Sequence, residues 1–375
     1  MFEHRDILNE LNSNLPIDIK LVAVHRVLQE RFNFVDRIAI ALYDPKTDTV
    51  KTFLDTNNDG GPLVHYQARL SDSPSLRQIQ ETGSPRIIED IAVSDEKPHE
   101  HTQKIRSHGY RSSYTMPMYV SGDFFGFVFF NSLQARVFTP ESLHYLDVFG
   151  HLISLVVVNE INQVQTLLAA VKSARLMTHT RDPETGAHLD RMSRYSQLIA
   201  RELAEDYKFS DEIIEHIFLF SPLHDIGKIG VPDRILLKPG SLTSEEVSEM
   251  RMHSLKGRQI IDSIIADFGL ESLQHVDILR NITQFHHEAI DGSGYPNGLV
   301  GNEIPIEARI VAVADVFDAL TSNRPYKQAW TNDAAFNILR KLAGSKLDAQ
   351  CVDALIAQRP AVEEIQKRFK EDFFG

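Results

Sequence analysis

The stretch His286-His287-Glu288, followed by Asp291-Gly292-Ser293-Gly294-Tyr295-Pro296 and Gly298-Leu299, constrains this chain more than any other. Adjacent histidines at one helix end can address neighbouring metal ions. The glycines after them let the backbone turn tightly back against that place. Tyr295-Pro296 would stiffen the loop, with Tyr295 as the wall of a substrate pocket. A flexible surface loop has no need of a histidine pair immediately before it.

Other parts of the second half carry residues of the same chemistry. Asp182-Pro183 is a helix start, and Glu184 and His188 then stand four apart on one face. An acid also simply suits a helix N-terminus. His224-Asp225-Ile226-Gly227-Lys228 follows the apolar run Ile217-Phe218-Leu219-Phe220. A buried carboxylate and imidazole need compensation, and a divalent cation supplies it, with Asp225 placed to bridge two ions and Lys228 beside them. A helix end with ordinary polar residues is the plain alternative. His253, in Met250-Arg251-Met252-His253, would be structural or merely exposed if it stood alone.

Asp315 lies in the apolar helix Arg309 to Leu320 and must be paired, with Arg309, Arg324 or a metal as candidates. In Arg324-Pro325-Tyr326-Lys327, Arg324 and Lys327 can clasp phosphates and Tyr326 can stack on a base. A salt-bridged surface turn is the alternative there. Together Glu184, His188, His224, Asp225, His253, His286, His287 and Asp315 are too many ligands for one metal. Carboxylate with imidazole suits iron, manganese or zinc, and a cluster of two or three ions is the economical reading.

At 375 residues the chain is long enough for two domains. A net charge of −13 argues against binding duplex nucleic acid or an anionic membrane, which need a basic face. A small anionic ligand held by local cations stays compatible with it. The single cysteine, Cys351, excludes an internal disulfide framework and a cysteine-rich zinc site. Met1 to Leu11 has no apolar core of a secretory signal, and Leu152 to Val158 is too short to span a bilayer. The expectation is a cytoplasmic protein.

The first half reads as α/β. Arg37 to Tyr43 and Thr49 to Leu54 form two strands around Asp44-Pro45-Lys46-Thr47-Asp48, and Ser112 to Val120 with Phe124 to Asn131 form a second hairpin. A polar loop (Thr56 to Gly61) and a helix (Ser75 to Glu81) lie between them. Thr139-Pro140-Glu141 opens a long helix, with Thr139 as N-cap. Val157, Ile161, Val164, Leu168 and Val171 alternate spacings of four and three along it. That seam serves either packing on the helix's own domain or a parallel dimer. The rest of the chain reads as helical, most apolar over Ile213 to Leu223, Arg309 to Leu320 and Ala334 to Leu342. The expected division is an N-terminal domain over 1–157, a connecting helix over 158–180 and a catalytic domain over 181–375.

On His224-Asp225 with Gly227-Lys228, His286-His287-Glu288, Gly294-Tyr295-Pro296, the spaced His253 and Asp315, and Arg324-Pro325-Tyr326-Lys327, the second half resembles the HD-GYP family of the HD phosphohydrolase superfamily. The match runs from Asp182 to about Lys327 without departure from the family pattern, which speaks against a degenerate domain. The resemblance implies an all-α HD-type helical bundle that hydrolyses cyclic di-GMP to the linear dinucleotide pGpG, and often on to GMP. It implies a three-metal site marked by Glu184, with iron, or alternatively manganese, as the ions. Asp225 and Lys228 are then catalytic, and Lys228, Tyr295, Arg324 and Lys327 hold substrate. Rival readings are another cyclic dinucleotide such as cyclic GMP-AMP, and a non-catalytic cyclic di-GMP receptor, which has no need of so full a ligand set.

The first half resembles a GAF domain in its strand–helix–strand order and its second hairpin. It has no cysteine to attach a bilin and lacks the Asn-Lys…Phe…Asp-Glu pattern of cyclic-nucleotide-binding members. Its role is open between small-molecule sensing and dimerisation, and a homodimer through this domain and the connecting helix is the expected assembly.

Overall fold

Alternation of side chains across a pleated backbone decides the first half. In β1 (Arg37–Asp44), Ile38, Ile40 and Leu42 face one side of the sheet and Ala41 the other. The structure is a computed structural model that describes residues 6–57, 61–93, 100–177, 186–270, 273–322 and 328–370. The chain divides into two compact units, Met1–Asn162 and Gln163–Gly375.

The first unit carries a six-stranded antiparallel sheet in the order β3-β2-β1-β6-β5-β4. Its remaining strands are β2 (Thr49–Asp55), β3 (Gln67–Arg69), β4 (Arg86–Ile88), β5 (Ser112–Val120) and β6 (Asp123–Ser132). Ser121 and Gly122 join β5 to β6 with φ of 53° and 94°, the positive pair that a two-residue hairpin turn requires. α1 (Ile17–Arg31) and α4 (Pro140–Met177) cover one face, burying Leu21, Val24, Leu146 and Ile153 against Ile38, Ile40, Met116 and Phe130. The opposite face packs Ala41, Val50 and Phe127 with Ile79 of α2 (Pro74–Thr82). α3 (Glu100–Ser107) completes the unit. Both expected hairpins are present. β3 and β4, three residues each, are too short to show alternation and were not expected. Residues 58–60 of the expected polar loop lie outside the described residues.

Thr139 caps α4 as expected, its Oγ1 accepting the Ser142 amide at 3.3 Å. The seam along that helix is filled within the chain. Val157 and Ile161 are buried in the core of the first unit, and Val164 is buried in the core of the second, with Leu168 packed against it. The side chain of Val171 lies outside the described residues. Val157, Ile161 and Val164 thus serve packing within the chain, the first of the two readings of the seam. By length and composition alone, residues 140–170 of α4 could cross a membrane, which the short run Leu152 to Val158 did not suggest. Their inward side chains, Leu146, Ile153, Val157 and Ile161, pack in the protein core instead.

Among the described residues the second unit is helical: α5 (Gly186–Glu202), α6 (Ala204–Tyr207), α7 (Asp211–Phe220), α8 (Asp233–Leu236), α9 (Ser244–Arg251) and α10 (His253–Asp267) come first. α11 (Val276–Phe285), α12 (Ile306–Thr321), α13 (Asn332–Leu342), α14 (Ala349–Ala357) and α15 (Arg359–Arg368) follow. The three apolar stretches fall on α7 with the turn after it, on α12 and on α13. Ser210, Thr243, Thr331 and Asp348 cap α7, α9, α13 and α14 by accepting backbone amides. α5 packs on α7, α12, α14 and α15, and α11 packs on α7, α10 and α12. Tyr195, Phe220 and Phe317 are wholly buried between them, each worth about 1.5–3 kcal/mol of apolar transfer. The expected helix start at Asp182-Pro183 lies outside the described residues.

Candidate metal centre

Helix ends bring the polar residues of the second unit together. A short 3-10 turn, Ser221–Leu223, ends α7 and places His224 and Asp225, and a second, Ile226–Gly230, carries Lys228. His253 opens α10, His286 and His287 follow α11, His188 lies on α5 and Asp315 on α12. Gly227 makes this convergence possible: a Cβ there would collide with the carbonyl of His253 and come within 2.5 Å of the Gly257 nitrogen.

Two groups of ligand-type atoms result, Asp225 with His253, His286 and His287, and His188 with His224 and Asp315. Within each, one donor atom per residue lies within 4.8 Å of the others. Asp225 joins the groups. Its Oδ1 is 3.0 Å from His253 Nε2 and 3.5 Å from His286 Nε2, while its Oδ2 is 3.3 Å from His224 Nε2 and 2.7 Å from Lys228 Nζ. Among the described residues, Asp225 Oδ1 and the Nε2 atoms of His253 and His286 make no hydrogen bond although all are buried. Unsatisfied buried acceptors facing one another are costly, and a cation between them removes the cost. The residues present fit divalent metal ions.

The opposite ring nitrogens explain the aim of these imidazoles. Nδ1 of His224, His253 and His286 donates to the carbonyls of Ser221, Met250 and Ile282 at 3.0, 2.8 and 2.9 Å. That leaves each Nε2 as the lone-pair nitrogen toward Asp225. His188 is oriented by Asp318, whose Oδ2 is 2.7 Å from its Nδ1. Asp318 also accepts from Arg191 Nε at 2.6 Å, Arg191 Nη2 at 2.9 Å and Ser322 Oγ at 2.9 Å.

Burial by itself would raise the Asp225 carboxyl, but Lys228 and then the surrounding imidazoles outweigh it and hold it well below the usual range. Asp318 is likewise pushed up by burial and pulled further down by His188 and Arg191. Burial lowers His286 and His287, with His286 further lowering its neighbour, so both favour the neutral, metal-binding form.

The glycine-rich loop folds back as its composition predicts. The Glu288 carboxylate accepts the amides of Asn297 at 2.7 Å and Leu299 at 3.1 Å, and the Tyr295 amide donates to the His287 carbonyl at 3.1 Å. The Tyr295 ring lies 4.8 Å from that of His287, and the Arg251 guanidinium stands 5.0 Å over Tyr295. Asp291 ties the loop to Lys346 at 2.8 Å.

Seven of the residues expected from the sequence as metal ligands, His188, His224, Asp225, His253, His286, His287 and Asp315, occupy these two groups. Glu184, Arg324, Tyr326 and Lys327 lie outside the described residues. The Arg309 pairing considered for Asp315 is corrected: Arg309 binds Asp348 at 2.7 Å. Sequence reasoning passed over Asp318, Arg191, Arg251 and the holding role of Glu288. Asp318 had a signal, since a second carboxylate one turn from Asp315 in so apolar a helix also needs partners.

A bundle that gathers imidazoles and carboxylates from several helices around one buried aspartate defines a metal-centre domain, here preceded by an α/β sheet domain. The family model described as "HD domain" matches residues 167–351, and that described as "GAF domain" matches residues 20–157. The chain joins a GAF domain to an HD domain. It is 47% identical over 189 residues to the "Cyclic di-GMP phosphodiesterase response regulator RpfG" of Xanthomonas campestris, covering 50% of this chain and 47% of that protein. It is 39% identical over 209 residues to a "Cyclic di-GMP phosphodiesterase" of Thermotoga maritima, covering 55% and 53%. A "3'3'-cGAMP-specific phosphodiesterase 2" of Vibrio cholerae is 38% identical over 176 residues, covering 47% of this chain and 32% of that protein. The chain spans about half the length of the first two relatives.

Proposed function

We propose that this protein is a metal-dependent phosphodiesterase that opens cyclic di-GMP to pGpG or GMP, with the GAF domain as its regulatory part. The observation that carries the reading is Asp225, a buried carboxylate faced by His224, His253 and His286, with Lys228 at 2.7 Å. The likeness of the HD domain to relatives named cyclic di-GMP phosphodiesterases supports it.

His188, His224, Asp225, His253, His286, His287 and Asp315 would hold two or three divalent ions, iron first and manganese as the alternative, with Glu184 as a further ligand. Such ions act as Lewis acids on phosphoryl oxygen and lower the pKa of water. Asp225 holds the centre together from both carboxylate oxygens. Lys228 sets a positive charge beside it, where negative charge grows on a phosphate under attack. Tyr295, held over His287, would wall the pocket, with Arg251 beside it to meet a second phosphate; Arg324 and Lys327 are further phosphate-binding candidates from the sequence alone.

The catalytic domain of this reading begins after the connecting helix, near residue 181, and the protein works in the cytoplasm. Its homodimer would use the exposed side of α4, where Val148 is 60% and Leu155 is 68% accessible, because Val157, Ile161 and Val164 are buried.

Turnover of cyclic di-GMP and 3′3′-cyclic GMP-AMP side by side tests the substrate. The reading predicts kcat/KM at least about tenfold higher for cyclic di-GMP, a difference of 1.4 kcal/mol. The reverse order would make the protein a cyclic GMP-AMP phosphodiesterase, and tight binding without turnover of either would make it a receptor.

A further inference from the structure

The two helices that deliver the metal centre also meet at a second set of metal-type side chains. Glu212 and His216 lie on α7, upstream of His224 and Asp225, and His275 caps the start of α11, which ends at His286. One donor atom from each of Glu212, His216 and His275 lies within 4.8 Å of the others. His275 Nε2 is 3.2 Å from Glu212 Oε1. That matches the roughly 3.3 Å edge of a tetrahedron built on ~2.0 Å metal bonds. The two imidazole centroids are 4.9 Å apart.

His216 supplies the independent observation. It is 0% exposed, its Nδ1 donates to the Glu212 carbonyl at 2.8 Å, and its Nε2 makes no hydrogen bond among the described residues. Burial pushes its pKa down to about 4, so the ring is neutral and Nε2 carries a lone pair. An ion pair between His275 and Glu212 accounts for those two residues and leaves the buried His216 nitrogen unexplained. Eight residues separate His216 from His224, about 12 Å at helical rise, so the two places cannot share an ion.

We propose that Glu212, His216 and His275 form a separate site for a Zn2+-type ion that ties the start of α7 to the start of α11. Two imidazoles and one carboxylate favour zinc or cobalt over magnesium or calcium. The fourth position opens on the His275 side, whose side chain is 27% exposed while that of Glu212 is 5% exposed. The ion fixes the far ends of the helices that present the catalytic residues.

The test uses the full chain carrying Asp225→Ala and Asp315→Ala, which removes a carboxylate from each group of the described centre. Co2+ is the probe. We expect one ion with the strong visible absorption of a low-coordinate site, displaced by Zn2+, and at least a 100-fold loss of affinity on adding His275→Ala. Glu212→Gln is the second variant, and Zn2+ should raise the melting temperature of the parent and of neither variant. An unchanged band and stoichiometry in a folded His275→Ala or Glu212→Gln protein, or no such band in the parent, overturns the site.

Discussion

Oδ1 of Asp225 lies 3.0 Å from Nε2 of His253, and neither atom makes a hydrogen bond among the described residues. His253 turns its Nδ1 to the Met250 carbonyl at 2.8 Å, which leaves Nε2 as the ring atom facing Asp225. A fold keeps such a pair only where something positive joins them. Lys228 balances the other oxygen of the same carboxylate, which leaves Oδ1 and the imidazoles to a cation.

Asp225→Ala should therefore remove metal and hydrolysis together. Elemental analysis of the purified variant should show fewer ions per chain than the parent, and turnover should fall by more than the ~10–100-fold typical of an outer-sphere change. Retained turnover in a metal-loaded variant would contradict this role for Asp225.

Asp318 touches no proposed ion and still matters, because it aims His188. Asp318→Asn should weaken metal binding about 10–100-fold. Asp318→Ala should in addition destabilise the domain by about 3–5 kcal/mol, since the buried Arg191 then loses its counter-charge. Metal titration and chemical unfolding separate the two effects.

Glu288 holds the loop rather than the ions. Glu288→Ala removes its bonds to the amides of Asn297 and Leu299, each worth about 1.5–3 kcal/mol as a hydrogen bond to a charged group. The variant should keep its metals and lose substrate binding, so KM should rise more than kcat falls in steady-state kinetics.

The metal-free protein should lose stability as pH falls below 6.5. Burial lowers His216, His286 and His287 in the folded state from the ordinary imidazole value of 6.5. In that window the unfolded chain binds protons that the folded chain refuses, so stability rises with pH and is complete above 6.5. Asp225 and Asp318, lowered from 3.8, add a loss only at more acid pH. Trp330, the sole tryptophan of the chain, lies in the second unit and reports its unfolding. The urea midpoint at pH 5.5 should fall below that at pH 7.5.

The residues that carry the candidate centre were legible because their chemistry is costly in an apolar setting. Asp315 inside a run of valine and alanine, and His224-Asp225 after Ile217 to Phe220, have to be compensated, and composition alone says so. The hairpins β1–β2 and β5–β6 were legible from alternation and turn residues. β3 and β4 were not, being three residues long and ordered by their neighbours. The α4 seam stayed open between two readings for a related reason: spacing shows that one side of a helix is apolar but not what covers it, and for Val157, Ile161 and Val164 the protein's own cores do. Arg191 escaped because its partner, Asp318, lies far along the sequence, with no local pattern to mark it.

Dependence of hydrolysis on bound metal is read from cyclic di-GMP turnover by anaerobically prepared protein loaded with iron or manganese, before and after chelation. pGpG or GMP should appear as product, and turnover should be lost on chelation and return when metal is restored. No product from protein shown to hold its ions, or turnover that chelation leaves unchanged, would contradict the proposed metal-dependent activity.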